Sequence, residues 1–345
     1  MQAFGDVFSS VMEEFKDFVG HGFWLTVFFP IFVFVAASLA LYLEITQGLG
    51  TSLAQWEKLS VLTQTLSVLM AIVILLAIAF GVYNLQYALT RLFEGYGWES
   101  LPILNLIRNR RIELYKRRWD YLKALTESVS EIAAKSRISA EQLAYYPPPT
   151  HLELMMPTRL GNILRAAEIY PYDRYGIDAT VLWPRLSATL DANVISGVEV
   201  KRGAMNFMLL LTVLAALFTL VWCPVLALTT NRWDLFLLCA VGLPIAWVCY
   251  RNAAESAIAY GEQVKTTFDL HRLNLIKALG RPIPSSATDE RKEWLRLTRF
   301  FYRNVPLPPL PVAPAQPKNW DRVGDALADY LEKLEINKRD KGTQP

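Results

Sequence analysis

Thiols and imidazoles are scarce in this chain. Its 345 residues include three cysteines and three histidines, with no pair at metal-ligand spacing, so a zinc site has almost nothing to be built from. Cys223, Cys239 and Cys249 lie within or at the ends of apolar runs. They read as small buried residues and supply no extracellular disulfide framework. Walker-type loops, GxGxxG, HExxH and GxSxG are all missing, which leaves the common enzyme classes without a foothold and implies neither cofactor nor metal. The formal charge of +3 is small and mixed; nucleic-acid binding calls for a basic stripe, so that partner is excluded. A signal peptide is excluded too, because Lys16 stands against Asp6, Glu13, Glu14 and Asp17 where a positive n-region belongs.

Charge is also missing from four long stretches, and these decide the class. Residues 23–43, 59–90, 204–231 and 235–250 contain no Asp, Glu, Lys or Arg, in a chain that is 53% hydrophobic. About 20 apolar residues at 1.5 Å each cross the ~30 Å hydrocarbon layer. The expected fold is therefore an all-α membrane protein with four transmembrane helices in two hairpins, joined to long cytoplasmic helical extensions. The second run outlasts the membrane and continues as one helix, with Asn84, Gln86 and Arg91 marking its exit from lipid. The fourth is brief, but Trp233 and Tyr250 stand where interfacial aromatics belong, and Pro244 need not break it. The short links carry only Lys58 and Arg232, whereas Arg91, Arg108, Arg110, Arg111, Lys116, Arg117, Arg118 and Lys123 follow the second span. The positive-inside rule then places both termini in the cytoplasm of a plasma (inner) membrane.

The organisation expected is an amphipathic N-terminal helix at 1–21, a first transmembrane hairpin at 22–93 and a cytoplasmic helical module at 94–203. A second hairpin at 204–251, a helical extension at 252–304, a proline-rich linker at 305–319 and a terminal amphipathic helix with its tail at 320–345 complete it. Phe4, Val7, Phe8, Val11, Met12, Phe15, Phe18 and Val19 give the first helix one apolar face, which its acidic opposite face suits to packing on protein. A long amphipathic helix is expected over 103–135, entered after Pro102. Pro147, Pro148 and Pro149 form a hard stop. Ala254, Ala257, Ile258, Gly261, Val264, Phe268, Leu275 and Leu279 form a seam, narrow at Ala257 and Gly261, for a close helix partner. His271 beside it reads as a hydrogen-bonded packing residue. The linker, with PxxP spacing, reads as a semi-rigid tether.

Residues 156–186 carry the most unusual composition. Thr158 or Asn162 can cap a short helix that Pro171 ends; Gly176 marks a turn, and Ala179 to Trp183 reads as extended before Pro184. Arg165, Glu168, Arg174, Asp178 and Arg185 are the candidate ligand-binding residues. In one reading Glu168 and Asp178 form a carboxylate pair among anion-binding arginines; in the other, ion pairs pin an irregular loop onto the helices. Thr63, Gln64 and Ser67, with Thr65, can line a narrow path in an oligomer or bond between helices. No ionisable residue interrupts a span, which argues against an ion-coupled transporter.

RLFEGYGW (91–98), LGNILRAAE through YGIDATVLWPRL (160–186) and FDLHRLNLIKALG (268–280) resemble segments of uncharacterised bacterial four-span inner-membrane proteins. The resemblance implies a bacterial plasma-membrane setting, and it carries over no catalytic residue. Three functions fit the sequence: a non-enzymatic scaffold or sensor with a cytoplasmic partner, a homo-oligomeric channel gated from the cytoplasm, and a membrane-surface enzyme acting on an anionic substrate.

Overall fold

The computed structural model describes residues 21–230, 232–307, 324, 326–331 and 333. The expected N-terminal helix, apart from His21, and most of the linker and terminal helix lie outside the described residues. Within them every regular element is helical. Four helices are long and apolar enough to cross a membrane, which makes the chain a multi-pass membrane protein.

The first is α1 (Trp24–Thr46), which opens with one π-helical turn over Trp24–Phe28. A short helix, α2 (Leu49–Glu57), fills the link that follows and was not foreseen in the sequence. Helix α3 (Val61–Glu94) is capped by Ser60, whose Oγ accepts from the Thr63 N–H. Its 34 residues extend about 50 Å, more than the hydrocarbon layer requires. Only 6% of its most apolar window is buried in the protein. That surface is suited to lipid, where a helix satisfies every backbone group internally.

Helices α8 (Ala192–Thr229) and α10 (Gly242–Ala278) pack along their lengths and form the spine of the molecule. Between them, α9 (Trp233–Ala240) and α10 make one 46-residue apolar-to-polar helix, broken once at Val241. The break corrects the uninterrupted fourth span expected from sequence. Pro244, in the first turn of α10, has no N–H to continue the ladder. Thr219 Oγ1 of α8 donates to the Cys239 carbonyl at 2.7 Å, so the kink leaves that buried acceptor satisfied.

The polar module consists of α4 (Pro102–Ser128), α5 (Ile132–Tyr145), α6 (Arg159–Tyr175), α7 (Ala179–Ser187) and α11 (Ala287–Arg303). Three sequence readings are corrected here. The helix expected over 103–135 stops at Ser128, because Val129 is extended (φ −83°, ψ 124°) and the Ser128 hydroxyl bonds back to Leu125 O. Pro171 does not end α6. The missing N–H costs one bond in a buried helix, and the chain runs on to Gly176, where φ of +79° lets the Gly176 and Ile177 amides close on Tyr172 O and Pro171 O. Ala179 to Trp183 is helical although its β-branched and aromatic residues favour a strand. Asp178 Oδ1 accepts from the Val181 N–H and starts α7, so capping outweighs propensity.

The narrow seam of α10 receives α6 and α8. Ala253, Ala254 and Ala257 are buried with Leu160, Ile163, Met205 and Leu209, and a Cβ on Gly261 would stand 3.1 Å from the Ala167 Cβ. Val264, Phe268 and Leu275 continue the seam into a second core with Ile177, Leu182, Leu186, Trp294 and Leu297. Leu279 lies outside it, at 36% exposure.

Helix α6 reaches the end of α3 through glycine. A Cβ on Gly161 would strike the Glu94 carbonyl oxygen, and one on Gly95 would strike the Pro157 ring. Thr158 caps α6 by accepting from the Gly161 N–H at 2.9 Å, and its hydroxyl also donates to Glu94 O at 3.1 Å. Buried Asn162 locks the approach: Oδ1 accepts from Met156 N–H, and Nδ2 donates to Met156 O and Thr158 O. The expected alternative cap, Asn162, is thus an interior clamp. Gly161→Ala is expected to lower stability by about 1–3 kcal/mol, the usual cost of overpacking a tight contact, read as a lower melting temperature of the purified protein. An unchanged melting temperature would show that the junction yields freely.

Candidate functional site

A cavity of about 330 Å³ opens where α3, α8 and α10 meet α6 and α7. This volume is at the lower end for small-molecule sites. Tyr87, Trp183, Tyr260 and Phe268 supply its aromatic walls, and its charged groups are Glu94, Glu168 and Arg202. A larger groove of about 790 Å³ beside it, between the start of α1, α3 and α8, shares Tyr87 and Arg202 with it. Two amides in that groove are engaged with one another, Asn206 Nδ2 donating to Gln86 Oε1 while Thr90 Oγ1 donates to Asn206 Oδ1, and Asn84 Nδ2 donates to Phe80 O.

Glu94 occupies the last turn of α3, beyond the uncharged stretch and past Arg91. Its carboxyl makes no hydrogen bond or ion pair to another described residue. Burial pushes its pKa up to about 7; Arg91 opposes the shift, Glu168 adds to it and Arg165 opposes it. The neighbouring cations are held elsewhere. Arg91 lies 3.8 Å over the Tyr96 ring, and Arg165 pairs with Glu168 at 2.9 Å while donating to the Tyr96 hydroxyl. Burial raises the Tyr96 pKa, so that hydroxyl remains a neutral partner. The arrangement offers a carboxyl that can lose or take a proton near neutrality, next to aromatic faces.

Of the five ligand-binding residues expected from sequence, Glu168 lines this cavity and the others do not. Glu168 Oε1 accepts from Thr180 at 2.8 Å, which ties α6 to α7. Asp178 is the cap of α7. Arg185 Nη1 donates to Val181 O, with its guanidinium 4.0 Å from the Phe301 ring, and Arg174 lies over Tyr170 and Tyr175 at 5.7 and 5.9 Å. Glu168 and Asp178 therefore have separate partners and separate structural tasks. Among the described residues no group of three His, Cys, Asp or Glu is placed to hold a metal ion.

The residues named for a pore are engaged at the start of α3. Thr63 Oγ1 lies 2.8 Å from Ser60 Oγ, Gln64 Nε2 donates to Trp56 O of α2, and Ser67 Oγ donates to Thr63 O. His271 is half-buried beside Asn274, with 3.5 Å between its Nδ1 and Asn274 Nδ2.

Sequence reasoning missed Glu94, Tyr96 and the role of Asp269. Asp269 accepts hydrogen bonds from Tyr175 at 2.6 Å and Tyr170 at 2.9 Å, fastening α10 to α6. Burial first, then this carboxylate, pushes Tyr170 up to about 12, so it stays a donor at any physiological pH. Arg272 continues the clasp to Glu290 of α11 at 2.7 Å. The one sequence signal for Glu94 was its place inside RLFEGYGW, immediately before Gly95 and three residues before Gly97.

A carboxyl whose folded pKa lies above its unfolded value contributes stability that is present in acid and lost as pH rises through the folded pKa. For Glu94 the loss spans the interval from the ordinary carboxylate range to about 7. The melting temperature is therefore expected to fall across this interval, and Glu94→Gln is expected to flatten that part of the profile. An unaltered slope in the variant would assign the effect to other groups. Comparisons with protein-family models, with curated proteins and with solved structures find no match to this chain.

Proposed function

We propose that this protein is a non-enzymatic membrane sensor or scaffold whose polar helical module reads a small amphipathic ligand at its junction with the membrane helices. One observation carries this reading: the cavity is walled on one side by helices long enough to cross a membrane and on the other by α6 and α7 of the module. Occupancy at such a junction has different contacts to offer in each arrangement of the two parts, which is what coupling requires. The aromatic walls suit an apolar body. The unpaired carboxyl of Glu94 suits a cationic or hydrogen-bond-donating head, with cation–π attraction available from Trp183 and Tyr260.

In this proposal the spans form two hairpins, the second closed by the short connection at 230–232, and the module and both termini are cytoplasmic in a bacterial plasma membrane. The Lys and Arg excess after the second and fourth spans supports that orientation. A cytoplasmic protein partner, or a second copy of the chain, receives the signal. The enzyme reading is left without its carboxylate pair, because Asp178 is spent on a cap.

The test is hydrogen exchange and thermal stability of the purified protein with phenethylamine, against phenylpropionate as a probe of similar size and opposite charge. The amine is expected to raise the melting temperature and slow amide exchange in α7, the acid to do neither, and Glu94→Gln to abolish the difference. Equal effects of both probes, or no effect of either on α7, would overturn the assignment of the cavity.

A further inference from the structure

Helix α4 has two apolar faces, and the fold uses one. Ile112, Tyr115, Trp119 and Leu122 pack inward on Tyr146 and Met155. On the other side Ile103, Leu106, Ile107, Leu114 and Tyr121 are exposed, Ile103 at 76% and Leu114 at 59%. At 100° per residue these five fall within an arc of about 100°, a stripe of the width that normally faces a core. Arg110 and Arg117 lie within the stripe, with Arg111 and Arg118 on its flank. The helix as a whole carries seven Lys and Arg against three acids. Glu113, at the edge, pairs with Arg117; Arg118 is 3.8 Å from Glu141, and Arg111 donates to Pro157 O, so Arg110 is the least engaged of the four.

The position of α4 agrees with its composition. The first charges met along the three long helices are Arg91 on α3, Arg251 on α10 and, coming from the other direction, Arg202 on α8. Together they mark the edge of the lipid-compatible surface. Phe93 stacks on Tyr250 at that edge, at 5.9 Å. Trp98 Nε1 donates back to Leu92 O, so the chain turns at the edge instead of leaving it. Arg111 reaches Pro157, which abuts Gly95. The middle of α4 therefore lies at the level where α3 leaves lipid.

We infer that the outward face of α4 lies on the bilayer surface, its apolar stripe immersed and its arginines on anionic lipid headgroups. Arginine side chains bury their stems in the interface and keep the charged ends among phosphates. Apolar area and basic charge together give binding that depends on anionic lipid. Continuity with the spans favours this surface over a soluble partner, because the same face is held at the membrane by the helix that precedes it.

Spin labels on Leu106→Cys and Leu114→Cys, with Lys116→Cys as the control outside the stripe, test this in the full chain with its three native cysteines replaced by alanine. In bilayers containing phosphatidylglycerol the first two labels are expected to be several-fold more open to oxygen than to a nickel chelate, and the third the reverse. Pure phosphatidylcholine, or Arg110→Glu with Arg117→Glu, is expected to shrink the contrast. Labels at 106 and 114 open to nickel in every lipid would overturn the inference by placing the face in water. Labels closed to both reagents would overturn it by placing protein there, and immersion indifferent to lipid charge would overturn the headgroup contact. Trypsin cleavage at Arg110 and Arg117 of the unaltered chain provides a second reading: phosphatidylglycerol should slow it several-fold relative to phosphatidylcholine, and equal rates would count against the inference.

Discussion

The end of α3 and the start of α6 come together because Gly161 has no Cβ. The Glu94 carbonyl occupies the space that a side chain would fill, with the Thr158 hydroxyl bonded to the same oxygen. The positions of α6 against α10, of Arg165 near Tyr96 and of Glu168 at the cavity all follow from that contact. Asn162 makes it rigid by satisfying three backbone groups in a site with little water to do so. An error here would displace the polar module relative to the helices that cross the membrane.

The spine tolerates its own irregularities in a related way. Where the turn at Val241 interrupts the fourth span, the Thr219 hydroxyl of the neighbouring helix donates to the Cys239 carbonyl, beside the Val241 N–H that closes on the same oxygen. In hydrocarbon an unsatisfied carbonyl costs several kcal/mol, so a kink without such partners would not persist. In the module the corresponding fastening is electrostatic: Asp269 takes two tyrosine hydroxyls, and Arg272 passes the connection to Glu290 and α11. These charges are fully engaged, which marks them as parts of the framework. Glu94 is set apart by a half-buried carboxyl with no hydrogen-bond or ion-pair partner among the described residues.

This contrast separates site from scaffold. Glu168 is held by Arg165 and Thr180 and shapes the cavity wall, whereas Glu94 lines the same space with a carboxyl that burial makes hold its proton more tightly than usual. Aromatic faces alone would make the cavity a hydrophobic slot. The carboxyl gives it polarity and, in the function proposed here, a preferred direction for a bound head group.

The four uncharged runs, by length and composition alone, settled that this is an all-helical protein able to cross a membrane four times, because no other structure satisfies the backbone of so long an apolar stretch. The α10 seam was equally legible, since its small and apolar residues recur at helical spacing. Short-range competition was less so: in 171–187 the decision between strand and helix rested on one Asp178 hydrogen bond and on burial of Pro171, neither visible in composition. The site was hidden for a different reason. Glu94 and Glu168 are 74 positions apart in the chain, and whether a carboxyl is a cap, an ion-pair partner or a free acid depends on which distant groups reach it. Residue type and periodicity determine helices and their apolar faces; only the close approach of α6 to α3, which brings remote charges into one desolvated space, decided which acid was left unpaired.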